Sequence, residues 1–174
     1  MAEHIFLTGE IQVGKTTIIE RILSGIDFVP GGFCTVAGGA SSDHSIDHIF
    51  IIPFGESLDE SAGIPPVADR YRNERVIVNY PEIFDTVGVR ILKDSDGARL
   101  IVMDELGFME SEAEAFQSEV MRLLDGETPI IGVVKRRDTP FLDRVRAHEN
   151  VTVIEIRRDN RDEIFEKLKD WCDV

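Results

Sequence analysis

Apolar and polar positions alternate along this chain in segments of two different periods. A short apolar run, His4 to Thr8, reads as a strand. It is followed at once by a glycine-flanked turn, and then by Ile18, Ile19, Ile22, Leu23 and Ile26, spaced for one buried helix face. Gly25 lies near the end of that helix, and Pro30-Gly31-Gly32 breaks the chain. A strand is predicted over Ile46 to Pro53. Residues 55–75 are polar, with Pro65-Pro66 and several charges, and are predicted as a loop or lid. Pro81 to about Asp94 reads as a helix with proline in its first turn and Ile83, Phe84, Val87 and Ile91 facing inward.

The second half is more regular. Leu100-Ile101-Val102-Met103 is apolar without interruption, as expected of a strand covered on both faces of a parallel sheet. A helix follows with Ala113, Phe116, Val120, Leu123 and Leu124 on one side. Ile130 to Val134 is predicted as a strand, Phe141 to Arg146 as a short helix and Val151 to Ile156 as a strand. A last helix carries Ile164, Phe165, Leu168 and Trp171. Strands alternating with helices predict an α/β fold in three layers, a mostly parallel central sheet flanked by helices. At 174 residues, with no repeat or low-complexity tract, residues 1–174 are expected to form a single domain.

Composition narrows the class. Hydrophobic residues make up 43% and charged residues 30%, an ordinary globular balance. No apolar run approaches the ~20 residues of a membrane span, and the N-terminus lacks a secretory pattern. Cys34 and Cys172 stand far apart with no metal-type spacing, so a reducing cytoplasm is the expected setting. The net charge of −14 argues against a nucleic-acid surface. An anionic ligand then needs a locally positive pocket.

Residues 9–16 read Gly9-Glu10-Ile11-Gln12-Val13-Gly14-Lys15-Thr16, the pattern G-x-x-x-x-G-K-T, between a strand and a helix. A loop that wraps an anion with successive backbone N–H groups needs glycine where a side chain would obstruct the turn, and the following helix aims its positive end at the same phosphates. Lys15 supplies a compact cation for the β- and γ-phosphates, and Thr16 a hydroxyl for Mg²⁺. This Walker A element, Gly9 to Thr17, predicts binding of a nucleoside triphosphate such as ATP or GTP. Asp104 ends a hydrophobic strand, where a Mg²⁺-organising aspartate belongs (Walker B), and Glu105 is placed to polarise an attacking water.

Weaker candidates complete the inventory. His44 and His48 would make a metal pair only on a helix, and their surroundings read as extended. Arg70, Arg72 and Arg75, and Lys135-Arg136-Arg137 past a strand end, are candidate cations for transferring charge. Cys34 has no identifiable base and reads as structural. Asn-Lys-x-Asp, the guanine signature, is missing. Base contacts are instead expected from Asn160 and Arg161 after the last strand, with helix capping by Asp159 or Asn160 as the competing reading.

Taken together, four segments resemble the small P-loop nucleoside-triphosphatases of the THEP-type, cancer-related family. They are Gly9 to Thr17, Gly32-Phe33-Cys34-Thr35, Asp104-Glu105-Leu106-Gly107-Phe108-Met109-Glu110 and Asn160-Arg161-Asp162. The resemblance implies a Mg²⁺-dependent enzyme hydrolysing several nucleoside triphosphates to the diphosphate with loose base preference, and Glu105 as the water-activating residue. It departs from the family at Val36-Ala37-Gly38-Gly39, where acidic and arginine residues are usual, and at Ala113, where a serine is usual. Two other classes stay open: a kinase phosphorylating a nucleotide or small molecule, with an acceptor pocket in the 32–75 region, and a slow nucleotide-dependent switch or adaptor.

Overall fold

A computed structural model describes residues 3–39, 45–74 and 76–171. In chain order it contains β1 (His4–Thr8), α1 (Lys15–Leu23), β2 (Gly31–Gly38), β3 (Ile46–Pro53), β4 (Ala68–Tyr71) and β5 (Val76–Asn79). There follow α2 (Pro81–Ile83), a π-helical turn (Phe84–Gly88) continuing into α3 (Val89–Asp94), β6 (Ile101–Leu106), α4 (Glu114–Leu124), β7 (Ile130–Val134), α5 (Pro140–Arg146), β8 (Val151–Glu155) and α6 (Arg161–Leu168).

One eight-stranded sheet runs in the order β5-β4-β3-β2-β6-β7-β1-β8. From β2 to β8 the strands are parallel. From β2 outward to β5 they turn antiparallel and form a wing. Side-chain alternation divides the core between the two faces. Leu100, Val102, Ile131, Val133, Ile5 and Leu7 pack with Ile18, Ile19 and Ile22 of α1 and Ile164 and Leu168 of α6. Their neighbours Phe6, Ile101, Met103, Ile130 and Val134 pack on the other face with Phe84, Phe116, Val120, Phe141 and Leu142. This is why the run at 100–103 has no polar position: every residue in it is covered.

The expected three-layer α/β architecture is present, and each strand and helix predicted from period is found within a few residues. Three strands went unforeseen. β2 starts at Gly31, immediately after the break at Pro30, and β5 follows the polar stretch. Within residues 55–75, predicted as a loop or lid, Ala68–Tyr71 is strand β4. Its stability comes from pairing on both sides and from Asp47, which binds the guanidinium groups of both Arg70 and Arg72.

Gly32 explains how β2 fits beside β6. Its φ is +101°, and an added Cβ would lie 1.9 Å from the Val102 carbonyl oxygen. Only glycine allows that approach.

Candidate functional site

The turn after β1 sits at the carboxyl end of the parallel strands, the end where open α/β sheets bind ligands. Gly9 has φ +145°, and a Cβ there would meet the Ile156 carbonyl oxygen at 2.4 Å. Gly14 has φ +101° and begins α1 in the left-handed region, with no side chain to cap the helix. No N-cap side chain therefore competes for the first-turn N–H groups of α1, the arrangement that makes a helix start an anion site. The Lys15 ammonium folds back over the turn and donates to the carbonyl oxygens of Gly9 (3.0 Å) and Glu10 (2.6 Å). Burial lowers its pKa, while Glu105 and Asp104 oppose that shift.

β6 lies two strands from β1, yet Thr16 reaches it: Thr16 Oγ1 donates to Asp104 Oδ2 at 2.9 Å. Burial raises the Asp104 pKa against the Thr16 hydrogen bond. A half-buried carboxylate beside a hydroxyl is a hard-oxygen pair, the donor type a small divalent cation takes together with water and phosphate oxygens. The residues present therefore fit Mg²⁺. Among the described residues, no group of three or more His, Cys, Asp or Glu could cage a metal.

Between Met103 and Leu106 the β6–β7 register shifts. Strict alternation would send Asp104 and Glu105 to opposite faces; the irregularity releases Glu105 from that rule. Glu105 pairs with Lys135 (Oε1 to Nζ, 2.6 Å), and both border the cleft. That cleft has a volume of about 780 Å³, and Lys15, Thr16, Arg70, Phe108, Arg136 and Arg137 also line it. The cationic turn after β7 is held from below: Arg146 of α5 donates to the carbonyl oxygens of Lys135 and of Arg137, the latter at 2.8 Å. Arg137 lies over the Phe108 ring, 5.0 Å from its centroid.

Gly9 to Gln12, Gly14 to Thr17 and Glu105 therefore line one cleft; Asp104 lines an adjoining cavity and meets the cleft through Thr16, and Val13 packs in the core. Arg70 reaches the same cleft from β4. The guanidinium groups of both Arg70 and Arg72 are bonded to Asp47, while Arg75 and His44 lie outside the described residues. His48 is in β3, its Nδ1 2.6 Å from Asp69 Oδ1. Cys34 is a free thiol opposite Asp104 in the β2–β6 register; burial pushes its pKa up to about 11. Cys172 is outside the described residues.

On the base side the placement differs from expectation. Asn160 stands at the helix start without capping it, and its amide instead donates to Glu155 O (2.9 Å) while its Oδ1 accepts from Arg157 N–H (2.8 Å). Neither Asn160 nor Arg161 lines the cleft. A neighbouring recess of about 250 Å³ is bordered by Arg136, Glu155, Arg157 and Arg158. Glu155 ion-pairs with Arg136, so the ends of β7 and β8 are joined across the end of β1. From sequence, Phe108 is only part of the motif at 104–110 and Arg136 only a candidate cation; a cleft-lining role for the ring and the pairing with Glu155 are not foreseen. An aromatic four residues beyond the strand-end aspartate was the available signal for Phe108; the pair had none, since its partners are 19 positions apart.

Known proteins align with the whole of this arrangement. The NTPase family model matches residues 4–169. Nucleoside-triphosphatase THEP1 of Thermotoga petrophila is 30% identical over 165 residues, covering 94% of this chain and 89% of that protein. The cancer-related nucleoside-triphosphatase of Homo sapiens is 27% identical over 181 residues, covering 95% and 94%. The crystal structure of THEP1 from the hyperthermophile Aquifex aeolicus has the same fold, with TM-score 0.70, 22% identity and coverage of 95% and 96%. With its phosphate loop, its strand-end acids and a match from end to end of the sheet, this chain belongs to the NTPase family, the small P-loop nucleoside-triphosphatases of the THEP1 type.

Proposed function

We propose that the chain, acting as one nucleotide-binding domain, hydrolyses nucleoside triphosphates to the diphosphate and phosphate with Mg²⁺ and little preference among bases. The observation that carries this reading is the 2.9 Å contact between Thr16 and Asp104, in a site where Lys15 and Glu105 border the same cleft. Lys15 and the free amides of residues 9–16 would hold the β- and γ-phosphates and stabilise charge on the bridging oxygen. Thr16 and Asp104 would hold Mg²⁺, which when bound neutralises phosphate charge. Glu105, one residue beyond, would orient and deprotonate the attacking water once Lys135 moves off it.

Lys135, Arg136, Arg137 and Arg70 would supply positive charge to the γ-phosphate end within a protein of net charge −14, the first, second and fourth by exchanging their carboxylate partners Glu105, Glu155 and Asp47 for phosphate. Asn160 shapes the loop beside the base recess, with Arg161 at the start of the following helix; the side chains facing that recess are largely paired with one another. This supports a contact that tolerates several bases. A cytoplasmic location suits the free Cys34 thiol and a chain in which no described helix is long and apolar enough to cross a membrane.

The test is phosphate release from the purified protein with Mg²⁺ and each of ATP, GTP, CTP and UTP, beside Lys15→Ala. Release from several nucleotides, abolished in that variant, is expected. Release from none of them sinks the proposal.

A kinase is the second reading, because a cavity of about 460 Å³ adjoins Asp104 and Glu105 and is lined by Cys34, Thr35, Val36, Phe54 and Glu56. Such a space could seat an acceptor. The readings separate on product: transfer leaves the phosphate on a second compound, hydrolysis leaves it free.

A further inference from the structure

Behind the Lys135–Glu105 pair lies an acid that the proposed reaction does not use. Glu110 is fully buried at the end of the turn that follows β6. Its Oε2 accepts the Gly107 N–H at 3.0 Å, whereas Oε1 has no hydrogen-bond partner. Its backbone is fixed as well, since its carbonyl accepts from Ala113 N–H (3.0 Å) and from the Gln117 amide (2.8 Å). An unpartnered carboxyl oxygen in a fixed, dry position is costly to keep unless something uses it.

Lys135 is the group within reach. A Cβ placed on Gly107 would lie 3.2 Å from Lys135 Cδ and 3.7 Å from Glu110 Oε2, so the lysine stem and the buried carboxyl flank the same glycine. The lysine head ends on Glu105. Glu105 and Glu110 are thus the two acids beside Lys135, one paired with its head and one across Gly107 from its stem. From β6 the charged group facing Glu110 is Glu105, from the turn after β7 it is Lys135, and from α4 the neutral Gln117 holds its backbone.

We propose that Glu110 is a positioning residue that acts through Lys135: as a neutral acid it leaves Lys135 on Glu105, and as a carboxylate, its proton lost to solvent, it draws the ammonium back and frees Glu105 for water. Burial pushes the Glu110 carboxyl up to about 7, so the change of state falls near neutral pH. The inference rests on the assignment of Glu105 as the water-orienting residue.

Glu110→Gln keeps the shape and an oxygen for Gly107 but cannot ionise. With Mg²⁺ and ATP, kcat of the wild type is expected to rise through a limb near pH 7. In the variant that limb disappears and kcat stays at its low-pH value, while KM changes by less than roughly threefold. The same limb in both proteins, or a variant with wild-type kcat at every pH, overturns the proposal. A second measurement needs neither turnover nor a folded Gln variant: the side-chain ¹⁵N resonance of Lys135 in the wild-type protein, assigned by its loss in Lys135→Met. It should titrate with a midpoint near 7, and a flat response between pH 5.5 and 8.5 rejects the idea. Absence of hydrolysis in a protein whose Lys135 resonance does follow the ionisation of Glu110 would condemn the triphosphatase reading and leave the coupling between Glu110 and Lys135 standing.

Discussion

At the scale of single residues, the site depends on a few oxygen atoms whose environments set their chemistry. Asp104→Asn removes the carboxylate that Thr16 points to, and should raise the Mg²⁺ concentration for half-maximal phosphate release by roughly tenfold or more. An unchanged Mg²⁺ titration would place the cation elsewhere. Glu105→Gln should keep nucleotide affinity while kcat falls by about 10² or more, read by equilibrium binding beside turnover. Glu110 makes a stability prediction independent of activity. Its carboxyl titrates near 7 when folded and near 4.5 when unfolded, so the folded state holds the extra proton between those values. Its contribution is therefore complete below about pH 4.5 and is lost as pH rises through 7, a change on the order of 3 kcal/mol. Wild type measured against Glu110→Gln by urea unfolding at pH 5 and pH 8 should show that difference; parallel pH profiles would contradict it. Much of this was legible beforehand. The phosphate loop, Asp104 and Glu105 are defined by neighbours in sequence, so pattern alone could nominate them. Arg70 against the cleft and Arg136 on Glu155 are long-range placements, and residue type alone carries no record of them.

At the scale of elements, period was a good guide wherever one face or both were buried. Leu100 to Met103 and Ile130 to Val134 could be read as strands because a covered strand has no polar positions to confuse it. β4 and β5 lie at the outer side of the wing, half exposed and four residues long, too short for alternation to stand out. β2 was hidden by its glycines, which read as a break and are instead the means of approach to β6. Gly32→Ala tests that reading. It brings a Cβ onto the Val102 carbonyl at a positive φ, and should destabilise the fold by at least ~2 kcal/mol in chemical denaturation. A variant as stable as wild type would mean that β2 can shift away from β6 without penalty.

At the scale of the molecule, the two core faces share the same central strands, so neither should melt alone. On one face Phe116 packs edge-on against Phe33 (5.5 Å between centroids) and tilted against Phe84 (5.2 Å); Trp171 packs with the other. Phe116→Ala should cost roughly 3–5 kcal/mol. The midpoint seen by Trp171 fluorescence should move as far as that seen by far-ultraviolet circular dichroism. Separate midpoints would show two independently melting halves. The phosphate loop and both strand-end acids are carried by β1 and β6, which helices cover on either side, while the wing hangs beyond them on β2. Backbone amides of β1, β6 and β7 should accordingly be the last in the protein to trade their hydrogens for deuterium, and those of β5 among the first. A warmed enzyme can then fray at its outermost strand and still hold its phosphate loop and strand-end acids in place, losing them only in the same event that dissolves its interior.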